Sequence, residues 1–216
     1  MSLVPFYFGL ISELFISLLL IISTVHAEEP TATQLNRLRQ IGQAAMEEDD
    51  FPTAIRVYRE AVASSPHSVS DVVNLGIAYY HGDHNDESIR TLQEAISQES
   101  RNPFANYTLG LAYKKIGDTT QALTYFQKVV DADSSDAATL YNLGLAHFNL
   151  KHNEEAAQWF EKTIAIDPKH TPSYYNLFLY YARIVKDTNR SKSYMTKFQE
   201  LKKKEPDRPA DAVDEG

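Results

Sequence analysis

Tyr107-Thr108-Leu109-Gly110-Leu111-Ala112-Tyr113 and Tyr141-Asn142-Leu143-Gly144-Leu145-Ala146-His147 are one phrase written twice, 34 residues apart. The glycines carry that register in both directions, because Gly42, Gly76, Gly110 and Gly144 are each separated by 34 residues. A fixed period of this length marks a repeat array, which has to be recognised before any local assignment is made. Other columns keep the same step. Ile41, Leu75, Leu109, Leu143 and Leu177 precede the glycine position, and Ala44, Ala78, Ala112 and Ala146 follow it. Ala54, Ser88, Ala122 and Ala156 form a small-residue column, and Tyr58, Leu92, Phe126 and Phe160 form a large one a helical turn later. Val62, Ile96, Val130, Ile164 and Phe198 line up beyond them.

Within a unit the apolar spacing is helical: Leu140, Leu143, Gly144 and His147 make one stripe, and Ala156, Phe160 and Ile164 another. Short polar segments separate the stripes, namely Gly82-Asp83, Gly117-Asp118 and Lys151-His152-Asn153. Asp118, Asn153 and either Asp49 or Asp50 are the expected N-caps. Pro52 and Pro103 suit first turns, where a missing amide donor costs nothing. Each unit is therefore a helix A, a tight turn and a helix B. Gly and Ala in matched columns let the two backbones approach closely, and a large side chain fills the space between successive units.

With these residues the chain resembles the tetratricopeptide repeat family. The motif residues are Ile41-Gly42, Ala54, Tyr58, Ala61 and Pro66; Leu75-Gly76, Tyr79 and Ala95; Leu109-Gly110, Tyr113, Ala122 and Phe126; and Leu143-Gly144, Ala156, Phe160 and Pro168. The resemblance implies an all-α fold, a right-handed α-solenoid of about five helix-turn-helix units over residues 35–204, with units at 35–68, 69–102, 103–136, 137–170 and 171–204. The fifth unit departs from the pattern: Phe178 replaces the glycine, Tyr180 the alanine, and Arg190 falls in the small-residue column. Its second helix, expected from about Ser191 to Lys204, carries Lys192, Lys197, Lys202, Lys203 and Lys204, which suits the solvated end face of a solenoid.

In this family one face of the A helices lines a concave groove that binds partners. At roughly 100° per residue, that face comprises Val73, Ile77 and Tyr80; Tyr107, Leu111 and Lys114; Tyr141, Leu145 and Phe148; and Tyr175 and Leu179, with Ala182 closing it. In the first unit it reads Arg39, Gln43 and Met46 and is the polar exception. Asn74, Asn142 and Asn176 recur on helix A, where a side-chain amide can bond to the backbone of an extended peptide. Burial between neighbouring A helices, or self-association through the same surface, are the competing readings of this apolar face. Some relatives grip a carboxylate through a basic clamp, for which this chain offers Arg39, Lys114 and Lys115 but no matching Asn in the first unit.

The ends of the chain differ from the array. Residues 3–25 are almost uncharged, interrupted by Pro5 and Glu13, and lead to Val25-His26-Ala27 before Glu28-Glu29-Pro30. This reads as a signal peptide over 1–27 with cleavage after Ala27. The n-region has no Lys or Arg, and a stretch of 23 residues is also long enough for an uncleaved membrane anchor. Both versions export the remainder, to a periplasmic or secreted location, or to a membrane surface if the anchor stays. A linker over 28–34 and an acidic, flexible tail over 205–216 complete the expected organisation.

Composition narrows the function. Twenty-one Lys and Arg against 29 Asp and Glu give a net charge of −8 with no basic block outside the last helix, which argues against nucleic acid. The absence of cysteine removes disulfides, thiolate metal sites and thiol nucleophiles. His81-Gly82-Asp83-His84-Asn85-Asp86-Glu87 is the densest set of metal-ligand types, but it lacks a third ligand at defined spacing and reads as a solvated turn. Asn106-Tyr107-Thr108 and Asn189-Arg190-Ser191 match the glycosylation sequon. No phosphate loop, nucleophile elbow or dinucleotide fingerprint occurs, so no cofactor and no catalytic residue is assigned. The expected function is an exported scaffold or adaptor that holds a peptide or helix of a protein partner to assemble or tether an envelope complex. The alternatives are a membrane-anchored assembly factor, and a regulatory subunit of an enzyme or a metal-dependent enzyme.

Overall fold

The computed structural model describes residues 32–204 of the 216. The segment read as a signal peptide or anchor, most of the segment read as a linker over 28–34 and the segment read as a tail over 205–216 lie outside the described residues. Ten helices follow one another as A and B pairs: α1 (Ala32–Glu47) and α2 (Phe51–Ser64), α3 (Val69–His81) and α4 (Asn85–Gln98), α5 (Pro103–Lys115) and α6 (Thr119–Ala132), α7 (Ala137–Asn149) and α8 (Asn153–Ile166), then α9 (Thr171–Tyr180) and α10 (Thr188–Lys202). Helix α1 begins at Ala32, three residues inside the segment read as linker. Each A helix packs on its own B helix and on the B helix of the unit before, so the chain stacks in one direction without long-range threading. Among the described residues no helix is long and apolar enough to cross a membrane.

The glycine column explains the close A–B contact. A Cβ on Gly110 would come within 2.5 Å of the Phe126 ring, one on Gly144 within 2.6 Å of Phe160, one on Gly76 within 2.5 Å of Leu92, and one on Gly42 within 2.6 Å of Tyr58. The large column therefore lies flat over the glycine of its own unit, and its far side fills the space beside the next A helix: Phe126 shares a cluster with Leu140 and Leu143, and Phe160 one with Leu177. In the first four units Ser88 is the one polar residue of the small column. Its Oγ donates to the Gly76 carbonyl at 2.8 Å, which satisfies a hydroxyl that would otherwise be buried without a partner.

The A–B turns repeat as faithfully as the core. Asp49, Asp83, Gly117 and Lys151 all take left-handed backbone angles, the usual way to end a helix. The amide one residue further on reaches back five residues, from Asp50 to Ala45, His84 to Tyr79, Asp118 to Tyr113 and His152 to His147. Asp50 and Asp118 cap the following helices through Thr53 and Gln121. In the fourth unit the cap position is His152 rather than Asn153, which is the first helical residue, and the histidine makes no capping bond.

The fifth unit is longer by one residue. Helix α9 runs into a π-helical turn (Tyr181–Val185), and the left-handed position moves to Lys186. The Asp187 amide now bonds to the Tyr181 carbonyl six residues back, where the other units span five. A wider turn is how a helix absorbs an inserted residue. The insertion corrects the expected alignment: α10 starts at Thr188, Ser191 takes the buried small-residue position, and Arg190 lies outside. The Arg190 guanidinium sits 5.2 Å from the Tyr181 ring centre and bonds to its hydroxyl at 3.2 Å. Tyr181 stacks on Tyr194 at 5.4 Å, and both hydroxyls donate to Glu161 of α8, at 3.0 and 3.3 Å. Burial and the Glu161 charge push the Tyr194 phenol up to about 12.

Candidate protein-binding groove

Successive A helices are tied to one another by side-chain links along one side of the stack. Arg39 of α1 forks onto Asp71 of α3, with Nε and Nη2 at 2.8 and 2.6 Å. Helices α3 and α5 touch directly. The Tyr107 hydroxyl of α5 accepts from Asn142 of α7 at 3.3 Å, and the Tyr141 hydroxyl of α7 accepts from Asn176 of α9 at 3.4 Å. Lys114 adds a second link from α5, donating to Asn142 Oδ1 at 2.8 Å.

These ties sort the expected groove residues into two groups. Val73 is only 4 % exposed and belongs to the core with Leu92 and Leu109, so it offers no surface to a partner. Tyr107 and Tyr141 are half-buried: their rings lie 5.9 Å from Phe126 and 5.7 Å from Phe160, and Tyr141 also meets His170 at 4.6 Å. Burial raises both phenol pKa values. Asn142 is 7 % exposed, and its amide is already engaged with Tyr107, Lys114 and the Ala138 carbonyl. It cannot also hold a peptide backbone. Asn176 is half-buried on Tyr141, whereas the half-buried Asn74 makes no side-chain hydrogen bond among the described residues. Ile77, Tyr80, Leu111, Leu145 and Leu179 are half-buried, with one side on the core and one on the face.

The open surface belongs to Phe148 and Tyr175, 38 and 41 % exposed, and to a residue the sequence reading passed over. Phe104 is 68 % exposed and stands one and two turns ahead of Tyr107 and Leu111 on the same face of α5. Its column otherwise holds Asn36, Ser70, Ala138 and Pro172, and a phenyl ring among small and polar residues was a legible signal.

The cations of the face are committed internally. Burial pushes the Asp71 carboxyl up, but the Arg39 fork, Ser68 and the Arg39 charge together hold it below the usual carboxylate range. Lys115 pairs with Asp83 and covers the Tyr80 ring at 5.2 Å. Desolvation lowers the Lys114 pKa even though much of its stem is exposed. A carboxylate clamp built on Arg39, Lys114 and Lys115 would have to break these contacts. Arg39→Ala is expected to cost about 2 kcal/mol in urea melts, because it strands a buried carboxylate, and Arg39→Lys should recover only part, lacking the fork.

Elsewhere, the His81–Glu87 turn is occupied by packing: His81 stacks on Phe51 at 5.6 Å. Among the described residues no three His, Asp or Glu side chains gather to hold a metal. Asn106 is buried, with its amide on the Ser100 and Asn102 carbonyls at 3.0 and 2.8 Å, which closes that sequon to modification in the folded chain. His170 caps α9, its Nδ1 accepting from the Ser173 amide at 3.3 Å. Burial lowers the His170 pKa against the opposing Asp167 charge, and burial likewise lowers that of His147. Between the lowered folded values and the ordinary value of about 6.5 the unfolded chain binds more protons, so this stability is present above that pH and is lost as pH falls. The melting temperature should drop on acidification from neutrality towards about pH 5, and less so in His170→Asn, whose cap does not titrate.

Comparison with known proteins agrees with the repeat geometry. The sequence matches the tetratricopeptide repeat family over residues 39–105 and 107–171, well over half of the chain. No curated protein matches it. Among solved structures, a crystal structure of MamA is 26 % identical, with 76 % of this chain and 95 % of that one covered at a TM-score of 0.71. MamA of Desulfovibrio magneticus RS-1 superposes with a TM-score of 0.73 at 22 % identity, covering 79 % and 96 %. YrrB, described as a TPR protein with an unusual peptide-binding site, shares the fold at 18 % identity, 86 % and 93 % coverage and a TM-score of 0.68. A 34-residue register, glycines roofed by the large column of the same unit, and family matches across four units together place this chain in the tetratricopeptide repeat family.

Proposed function

We propose that this chain is an exported scaffold that holds a segment of a protein partner along the concave face of its A helices and so tethers an envelope complex. The carrying observation is that three A helices each expose an aromatic side chain, Phe104, Phe148 and Tyr175, while Ile77, Tyr80, Leu111, Leu145 and Leu179 of the A helices are half-buried. Peptide binding by YrrB, which has the same architecture, supports the class of partner. We read the chemistry of this face as recognition. Export rests on residues 3–25 and the Val25-His26-Ala27 end of that stretch. If the segment is retained instead, the same scaffold is membrane-anchored.

A photoreactive side chain at Phe104 tests the reading in cells. It is expected to capture a protein from the envelope fraction, while the same probe at Lys128, on an exposed face of α6, captures none. Equal capture from both positions would remove the groove as the site. Amino-terminal sequencing of the captured chain separates the two locations, Glu28 indicating cleavage and Met1 or Ser2 the anchor.

A further inference from the structure

The two ends of the stack are finished differently. In units two to five the A helix buries one stripe against the B helix before it. Asp71, Ala105, Thr139 and Ser173 begin that stripe, Leu75, Leu109, Leu143 and Leu177 continue it, and Ala78, Ala112 and Ala146 extend it, all of them buried. On α1 the same columns are Arg37, Ile41 and Ala44, and all three are exposed, Ile41 to 38 %. Glu48, one turn further along the stripe, is exposed too. At the other end α10 turns Lys192, Thr196, Gln199 and Lys203 to solvent, a polar finish of the kind a terminal repeat needs. Among the described residues the stripe, with Ile41 and Ala44 at its centre, is thus open at one end only, and the opposite end is no match for it.

We infer that the α1 stripe pairs with the α1 stripe of a second copy, antiparallel across a two-fold axis. The charges select that arrangement. Among the described residues neither Arg37 nor Glu48 has an ion-pair partner. When two such helices run antiparallel and cross between Gly42 and Gln43, Ile41 of each meets Ala44 of the other, and Arg37 of each meets Glu48 of the other. A parallel pair would set Arg37 against Arg37. A two-fold contact uses one patch on both copies and closes on itself, so the product is a dimer and not a fibre. One helix pair lies at the low end of interface sizes, roughly 1,000 Å² or less in total, so the dimer depends on concentration. The contact lies at the end of the stack and leaves both concave faces free. The consequence is a two-groove particle, in which a partner carrying two copies of the recognised segment gains from avidity.

Sedimentation velocity over a range of concentrations, on the full chain and on the chain beginning at Glu28, tests this inference. Both are expected to shift from monomer to dimer with rising concentration. Ile41→Glu should leave a monomer with an unchanged melt, since the side chain is on the surface. Arg37→Glu and Glu48→Arg should each weaken the dimer at least about fivefold, and the two together should restore it, a charge swap that only this register explains. A wild-type chain that stays monomeric throughout would overturn the inference, as would a dimer indifferent to Ile41→Glu or association that grows without limit. Dimerisation of the chain from Glu28 but not of the full chain would assign the stripe to the residues ahead of Glu28, and would likewise overturn it.

Discussion

Gly110→Leu is expected to lower stability by about 3 kcal/mol or more in urea melts, the upper part of the range for overpacked cores. The first added carbon alone would lie 2.5 Å from the Phe126 ring. That ring is fully buried between two units and has nowhere to move without displacing Leu140 and Leu143. Helix propensity acts in the opposite sense, because leucine is the better helix former by several tenths of a kcal/mol. A large loss therefore isolates the packing term. Gly117 provides the contrast. Nothing lies within 4 Å of where its Cβ would be, but its φ of +85° is unfavourable for any side chain, so Gly117→Ala should cost only about 1 kcal/mol, all of it backbone. Two glycines seven residues apart would then fail for different physical reasons, and similar losses at both would contradict the close-approach account.

Replacing Tyr107 and Tyr141 together by Ala should cost about 3 kcal/mol of stability, because both rings are wedged between A helices. Each packs on the large side chain of its own unit and carries the hydroxyl that links its helix to the next. Truncation opens two cavities that the neighbouring helices can only partly close, and it leaves the buried Asn142 amide with fewer partners. Tyr→Phe at both positions keeps the rings and should cost no more than about 1 kcal/mol per lost hydrogen bond. Chemical denaturation of the two double variants measures both quantities. If the double Ala variant melts like the wild type, these tyrosines are surface residues and the division of the face drawn above is wrong.

The period was legible because packing between identical neighbours requires identical side chains at fixed steps. Gly42, Gly76, Gly110 and Gly144 are constrained by the residues above them, and the same holds for Leu75, Leu109, Leu143 and Leu177. The fifth unit was misaligned for a physical reason. A π-helical turn adds a residue without interrupting the apolar pattern, so a rigid step of 34 sets Arg190 where Ser191 belongs. Side-chain angles on an ideal helix assigned Tyr107, Tyr141 and Val73 to one face. How far each is covered depends on the distance between neighbouring A helices, which no single helix encodes. Asn142 shows the same limit, since its recurrence on helix A is explained by bonds to Tyr107 and Lys114 on the preceding A helix. Phe104 is legible as the one aromatic residue in a column of Asn36, Ser70, Ala138 and Pro172, but it lies six residues ahead of the glycine, outside the repeated motif.

The most direct test of the scaffold reading uses side chains that the fold does not need. Phe104 and Phe148 are exposed and, among the described residues, make no aromatic ring contact, so Phe104→Ala with Phe148→Ala should melt with the wild type. Isothermal titration of this double variant with the protein captured at position 104 is the decisive measurement. The scaffold account predicts an affinity loss of about 2 kcal/mol, roughly thirtyfold in Kd. A variant that melts like the wild type and binds that protein with undiminished affinity would contradict it.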